Sequence, residues 1–273
     1  MTGYATSIGS SDETSITVLG HDLARELMGQ VSFGELAFWL VALRRPTAGE
    51  LRLFEAVLVA LAEHGLTPSA IATRLTLTGA PESVQAAMAA GLLGGGSRFL
   101  GVTEDAGRFL AAALAGRTAD GRGIPTADGD WDDLAREAVQ AQRAAGRYVP
   151  GLGHNVHRAG DPRTPVLLRI AAEEGLRGRH LRLFEAVGRV HPEVLGQTPP
   201  LNGAGACGAV LCDLGFPVET LRGFALLARA AGLLGHIAEE MRRPIGFDVY
   251  KNVDRATDYQ PPADYQPPAA PAE

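Results

Sequence analysis

From Ile16 onward apolar residues recur three or four positions apart, and almost no stretch alternates with period two. That spacing predicts an all-α fold. Ser32-x-x-Glu35 has the form of a capping box and opens a helix over 33–43, with Leu36, Leu40 and Leu43 on one stripe. Arg44-Arg45-Pro46 ends it, because proline disfavours helix in the residue before it. Thr47-Ala48-Gly49-Glu50 starts a second helix over 51–63, which His64-Gly65 stops with glycine in the capping place. Further helices are expected over 67–77, 81–93, 99–114, 131–145, 164–174, 180–190, 206–214 and 217–241. The stretch 116–130 reads as a connection of about 15 residues, long enough for a lid or a mobile surface loop. Residues 1–15 read as disordered. So does the tail 258–273, where D-Y-Q-P-P-A occurs twice in a proline-rich, linker-like run.

Composition narrows the picture without deciding it. The 273 residues can bury a substantial core as one large domain or two small ones. A formal charge of −6 gives no basic surface for nucleic acid or anionic lipid. Two cysteines, Cys207 and Cys212, make neither a disulfide framework nor a thiolate metal site, and no metal is expected. Arg222, Arg229 and His236 interrupt the most apolar stretch, so no membrane span is expected, and the N-terminus lacks the basic and apolar regions of a leader. The expectation is a soluble cytoplasmic protein.

Chemistry concentrates in V-P-G-L-G-H-N-V-H-R-A-G-D-P-R-T-P, residues 149–165. Gly151 and Gly153 allow a tight turn and a ligand close to main-chain N–H groups. A proton-shuttling histidine, His154, stands beside Arg158 and Arg163. Such a set suits an anionic, carbonyl-bearing ligand. His157 and His236 read as structural. Arg229, a charge inside an apolar helix, must be paired, either in a buried ion pair or on a ligand carboxylate.

Three segments in order then carry a family likeness: L-A-E-H-G-L-T-P-S-A at 61–70, G-L-G-H-x-V-H-x-x-x-D-P-R at 151–163, and A-R-A-A-G-L-L-G-H-I-A-E-E-M-R-R-P at 228–244. They resemble the active-site segments of the citrate synthase superfamily, and in length and wording the short bacterial citryl-CoA lyases. The resemblance implies a citrate-synthase-like homodimer with a large helical domain from 16–65 and 216–257 and a smaller domain over 66–215. It implies an acyl-CoA C–C lyase that cleaves a citryl thioester, or a related substituted acid, to a keto acid and acetyl-CoA. No cofactor is implied beyond the CoA thioester itself, which is substrate together with a small di- or tricarboxylic acid. His64 would hold the thioester enolate oxygen and His154 the carbinol or keto oxygen. Arg163, Arg229 and Arg243 would clamp carboxylates, the last across a dimer. Gly151, Gly153 and Arg158 are the candidate CoA contacts beside these, with Arg98 a further candidate for its phosphates.

One departure stands against these matches. The superfamily's catalytic aspartate falls in a segment that here reads P-L-N-G-A-G-A, with Ala204 in its place. Glu63, Glu104, Asp105, Asp213 and Asp248 are the acids near matched segments, and the cysteines are a third option. A different acyl-CoA reaction on the same scaffold, such as hydrolysis, and a non-catalytic CoA-ester-binding or regulatory role are the alternatives.

Overall fold

Capping residues start the helices where the sequence asks. Ser32 Oγ accepts the N–H of Glu35 at 3.0 Å, beginning α1 (Phe33–Ala42). Thr47 and Glu50 form the full reciprocal box on α2 (Ala48–Ala62), at 3.2 and 2.8 Å. Thr67 and Pro68 open α3 (Pro68–Gly79), and Ser83 caps α4 (Val84–Leu93). Then follow α5 (Val102–Ala119), α6 (Asp128–Ala144), α7 (Arg163–Glu173), α8 (Arg179–Leu195), α9 (Gly203–Asp213), α10 (Leu221–Arg242) and α11 (Gly246–Arg255). This computed structural model describes residues 3–264, and the fold is all-α as expected.

Two expectations change. The N-terminal residues are not disordered throughout: β1 (Gly9–Ser11), β2 (Ile16–Val18) and β3 (His21–Asp22) form a small antiparallel meander, with Gly9 opposite Val18 and Thr17 opposite Asp22. Each strand is too short for alternation to register as a pattern. The 116–130 connection shrinks to 120–127 because α5 and α6 both extend into it. Arg122 grips Glu137 through both guanidinium nitrogens, at 2.7 and 3.0 Å, so this turn is tethered. Of the proline-rich tail, 258–264 carries no helix or strand, and 265–273 lies outside the described residues.

The chain packs as two units, and their borders differ from the expected domains. The first takes the chain up to Gly65 with Gly95–Gly232. One continuous core runs through it from Ala37 to Ala228, so 95–215 does not stand apart from the N-terminal helices. At its centre Phe38, Phe54, Phe216 and Phe224 meet with ring centroids 4.4–5.6 Å apart, each less than a twentieth exposed. Burial of such a ring stabilises by about 1.5–3 kcal/mol, and the edge-on pairs add to it.

The second unit joins Leu66–Gly94 to the chain from Leu233 onward. Leu77, Ala87 and Ile237 form its apolar centre. Beside them Arg74, 3% exposed, donates to Glu240 at 3.1 Å and to Nδ1 of His236 at 3.1 Å, and also pairs with Glu239. Glu240 in turn accepts the N–H groups of Ile245 and Gly246 at 2.9 and 2.7 Å, fixing the start of α11. His236 is therefore structural, as expected.

With the short turn before it, α10 is the one helix among the described residues long and apolar enough to cross a membrane. Its apolar side supplies core residues Leu221, Phe224, Ala225, Leu233 and Ile237, which accounts for its composition.

Candidate active site

Three imidazoles meet in the first unit. The ring centroid of His64, two residues past α2, lies 5.0 Å from that of His154 and 5.1 Å from that of His157. The rings of His154 and His157 are 4.5 Å apart. All three are half-buried. The sequence nominates His64 and His154 and reads His157 as structural; the structure adds its ring to theirs, three residues after His154 in the same glycine-bounded loop.

The loop fixes the state of His154. Its Nδ1 accepts the N–H of Val156 at 3.1 Å and that of His157 at 3.0 Å. An atom accepting two hydrogens carries none, so the neutral ring bears its proton on Nε2 and presents a donor. Burial lowers its pKa, with His157 and Arg163 acting in the same sense against the opposing effect of Asp161. Burial also lowers that of His64, followed by Arg163, the two other histidines and Arg229. Both rings are thus held neutral near physiological pH.

The ligand atoms of the three rings lie within 4.8 Å of one another, close enough to surround a first-row transition-metal ion. The tautomer of His154 opposes that use. Metal-bound histidine donates its far N–H to a neighbour, whereas here the far nitrogen accepts, and a metal on Nε2 would need the ring stripped of both protons. The arrangement fits a hydrogen-bond donor to a developing oxyanion better.

Arginines hold the end of α2 that leads to His64. Arg163 Nη1 donates to the carbonyl of Ala60 at 3.1 Å, and Arg229, 4% exposed, donates to that of Leu61 at 3.2–3.3 Å. These are among the last carbonyls of a helix, which lack partners within it. Arg163 also makes a two-pronged pair with Asp161, Nε to Oδ1 at 3.0 Å and Nη2 to Oδ2 at 2.7 Å. Asp161 takes the N–H of Gly203 at 2.7 Å as well. Burial opposes its ionisation, but Arg163 and these N–H donors hold the carboxyl well below the usual range. Of five guanidinium hydrogens on Arg163, two remain for a ligand. Arg229 is pushed down by burial while Glu63 opposes this. Next to His64, Glu63 Oε1 accepts the N–H groups of His64 and Gly65 at 2.8 and 2.5 Å.

The glycine loop is stitched to the segment that starts α9. Leu152 bridges Leu201, Gly153 N–H donates to Pro200 at 2.7 Å, and Asn202 N–H donates to Gly151 at 2.9 Å. Gly151 has φ +88°, and a Cβ on it would meet Phe184 at 2.7 Å; one on Gly205 would meet the Gly151 Cα at 2.5 Å. Gly151 therefore answers to packing, and the Gly153 N–H is engaged within the chain rather than open to a ligand. Ala204 is half-buried in the first turn of α9.

The other candidates lie elsewhere or are spent. Arg158 is exposed on the loop. Arg243 belongs to the second unit, exposed just past α10, with its N–H on Glu239 at 2.7 Å. Asp213 caps α8, accepting from the N–H groups of His180 and Leu181 at 2.9 Å, and it meets the His180 ring at 2.8 Å. Glu104 pairs with Arg108 and Arg222, and Asp248 is exposed on α11. The cysteine option fails: both thiols are buried and burial pushes each up to about 12, so neither ionises near neutrality.

Residues 21–246 match a family model described as "Citrate synthase, C-terminal domain". The chain belongs to the citrate synthase family. A search of curated proteins returned no match. Among solved structures it is similar to the citryl-CoA lyase of Hydrogenobacter thermophilus, at 28% identity and TM-score 0.83, over 97% of each chain. An ATP citrate lyase from Methanosaeta concilii, in complex with (3S)-citryl-CoA, shares the fold at 21% identity and TM-score 0.74, over 97% of this chain and 42% of that one. Citrate synthase from Thermotoga maritima does so at 18% and 0.63, over 89% and 60%.

Proposed function

We propose that this protein is a CoA-dependent C–C lyase that cleaves a citryl thioester, or a related substituted acid, to a keto acid and acetyl-CoA. The observation that carries the reading is the fixed Nε2–H donor of His154 with the His64 ring 5.0 Å away. Cleaving the carbinol C–C bond builds negative charge on a thioester oxygen, while a keto oxygen forms on the other fragment. Two neutral imidazoles, that of His154 fixed by the N–H groups of its own loop, suit those oxygens. Similarity to a citryl-CoA lyase over nearly the full length of both chains supports the same reading. The acid's carboxylates would use the free hydrogens of Arg163, with Arg229 and, from a partner copy in a homodimer, Arg243.

The test is to incubate the purified protein with citryl-CoA and follow oxaloacetate. Turnover above buffer is expected; inertness toward citryl-CoA and a panel of related acyl-CoA esters would end the reading. Ala204 favours a second one, a different acyl-CoA reaction on this scaffold such as thioester hydrolysis. Ala204→Asp separates the two, because a large gain in citrate formation would mean that the native chain has left that chemistry.

A further inference from the structure

The site as described has two oxygen-holding donors and no group to move the proton. Cleavage needs one: the carbinol O–H must lose its hydrogen, and the CH2 of the departing enolate must gain one to become a methyl group. The methyl of Ala204 exchanges no proton. His154 cannot take it either, because Nδ1 already accepts two backbone hydrogens and Nε2 already carries one. The Oε1 atom of Glu63 is tied to the turn by two N–H groups, and Arg229 faces its charge. Both thiols are buried away from reach.

One group satisfies the geometry. The His157 ring lies 4.5 Å from His154 and 5.1 Å from His64, so an oxygen accepting from either donor is within its reach. Among the described residues its ring nitrogens make no hydrogen bond; its place in the loop is set by its backbone N–H, which points at His154. A neutral imidazole with a bare nitrogen is a base, and once protonated an acid.

We propose that His157 is the proton carrier of this site, in the role the missing carboxylate would have. The inference rests on the lyase reading above. In cleavage the carbinol proton passes to the free nitrogen of His157 as the C–C bond breaks. The bonding electron pair becomes the thioester enolate, with its oxygen on His64, and the carbinol carbon becomes the keto carbonyl, held by His154. The imidazolium of His157 then returns that same proton to the enolate carbon, giving acetyl-CoA. Nothing is consumed beyond the citryl thioester, and no oxidant or second nucleophile enters.

The experiment compares the unaltered protein, His157→Gln, His157→Asn and His157→Ala on citryl-CoA, with kcat and KM separated and free imidazole added back to the alanine variant. Expected is a fall in kcat of about 10²-fold or more, with KM within a few-fold, and partial recovery of kcat by imidazole in His157→Ala. If the alanine variant does not fold, the near-isosteric His157→Asn and His157→Gln decide through the kcat split. A glutamine variant within threefold of the unaltered kcat overturns the proposal while leaving the lyase reading intact. So does a loss in folded His157→Ala that imidazole does not rescue, since that marks a purely structural role. An unaltered protein inert on every citryl thioester brings down reading and proposal together.

Discussion

The backbone N–H of His157 donates to Nδ1 of His154 at 3.0 Å, so one active-site candidate sets the protonation pattern of the other through the main chain. The sequence names both residues but not the tautomer, which decides that His154 donates and does not accept. Replacing that donor with His154→Ala should lower kcat on a citryl thioester by about 10²–10⁴-fold with the fold unchanged. Steady-state kinetics beside a circular dichroism spectrum checks this.

The Asp161–Arg163 pair should weigh heavily on stability. Asp161 is 3% exposed and accepts hydrogen bonds from both the Arg163 guanidinium and the Gly203 N–H. Asp161→Ala leaves a largely buried guanidinium and an orphaned helix N–H, and should cost about 3–5 kcal/mol. Urea midpoints of the two proteins measure it.

Acid should destabilise the fold in two stages. His64 and His154 have lowered pKa values in the folded state, so the unfolded chain binds protons first as pH drops below about 6.5, and stability declines there. Asp161 is depressed too; its contribution is complete above about 4 and is lost as pH falls from there toward its folded value. Unfolding free energy measured from pH 8 to pH 3 should fall in both windows, and the fall in the lower one should be smaller in Asp161→Asn, with other depressed carboxylates such as Glu50 and Glu240 supplying the remainder.

Arg229 should matter to catalysis through position. Its guanidinium holds the Leu61 carbonyl at the end of the helix that carries His64. Arg229→Met keeps the apolar stem but frees that end, and a displacement of about 1 Å at His64 would cost about 10²-fold in kcat/KM. If the guanidinium also binds substrate, KM rises alongside the fall in kcat.

The thiols should be silent. Both are buried, with burial pushing each up to about 12, so iodoacetamide at pH 8 should label neither in the folded protein and both in urea. Mass spectrometry reads the result directly.

Much of this architecture was legible because local chemistry and tertiary packing agree. The Thr47–Glu50 box and Pro68 at the first turn of α3 are short-range signals, and both are realised, whereas α2 ends on an extended Glu63 ahead of the glycine expected to cap it. The strands of the meander near Gly9–Asp22 are only two or three residues long, so no alternation shows in the spacing. The helix Gly246–Arg255 is started by Glu240, which Arg74 anchors from a helix far away in sequence, so no local pattern marks it. In the site, the motif located His64 and His154. It said nothing of Asp161 already occupying the fork of Arg163, because a pairing between neighbours reads the same as two free ligand-binding side chains.

The contact between Gly151 and Gly205 has a consequence for how this protein can change. In a saturation library both positions should accept almost nothing but hydrogen as a side chain, since even a methyl would collide with Phe184 or with the opposing main chain. Variation that retunes the pocket is thereby channelled into the exposed positions around His157, namely Asn155, Val156, Arg158 and Ala159, where a new side chain can be sampled without reopening the seam beneath it.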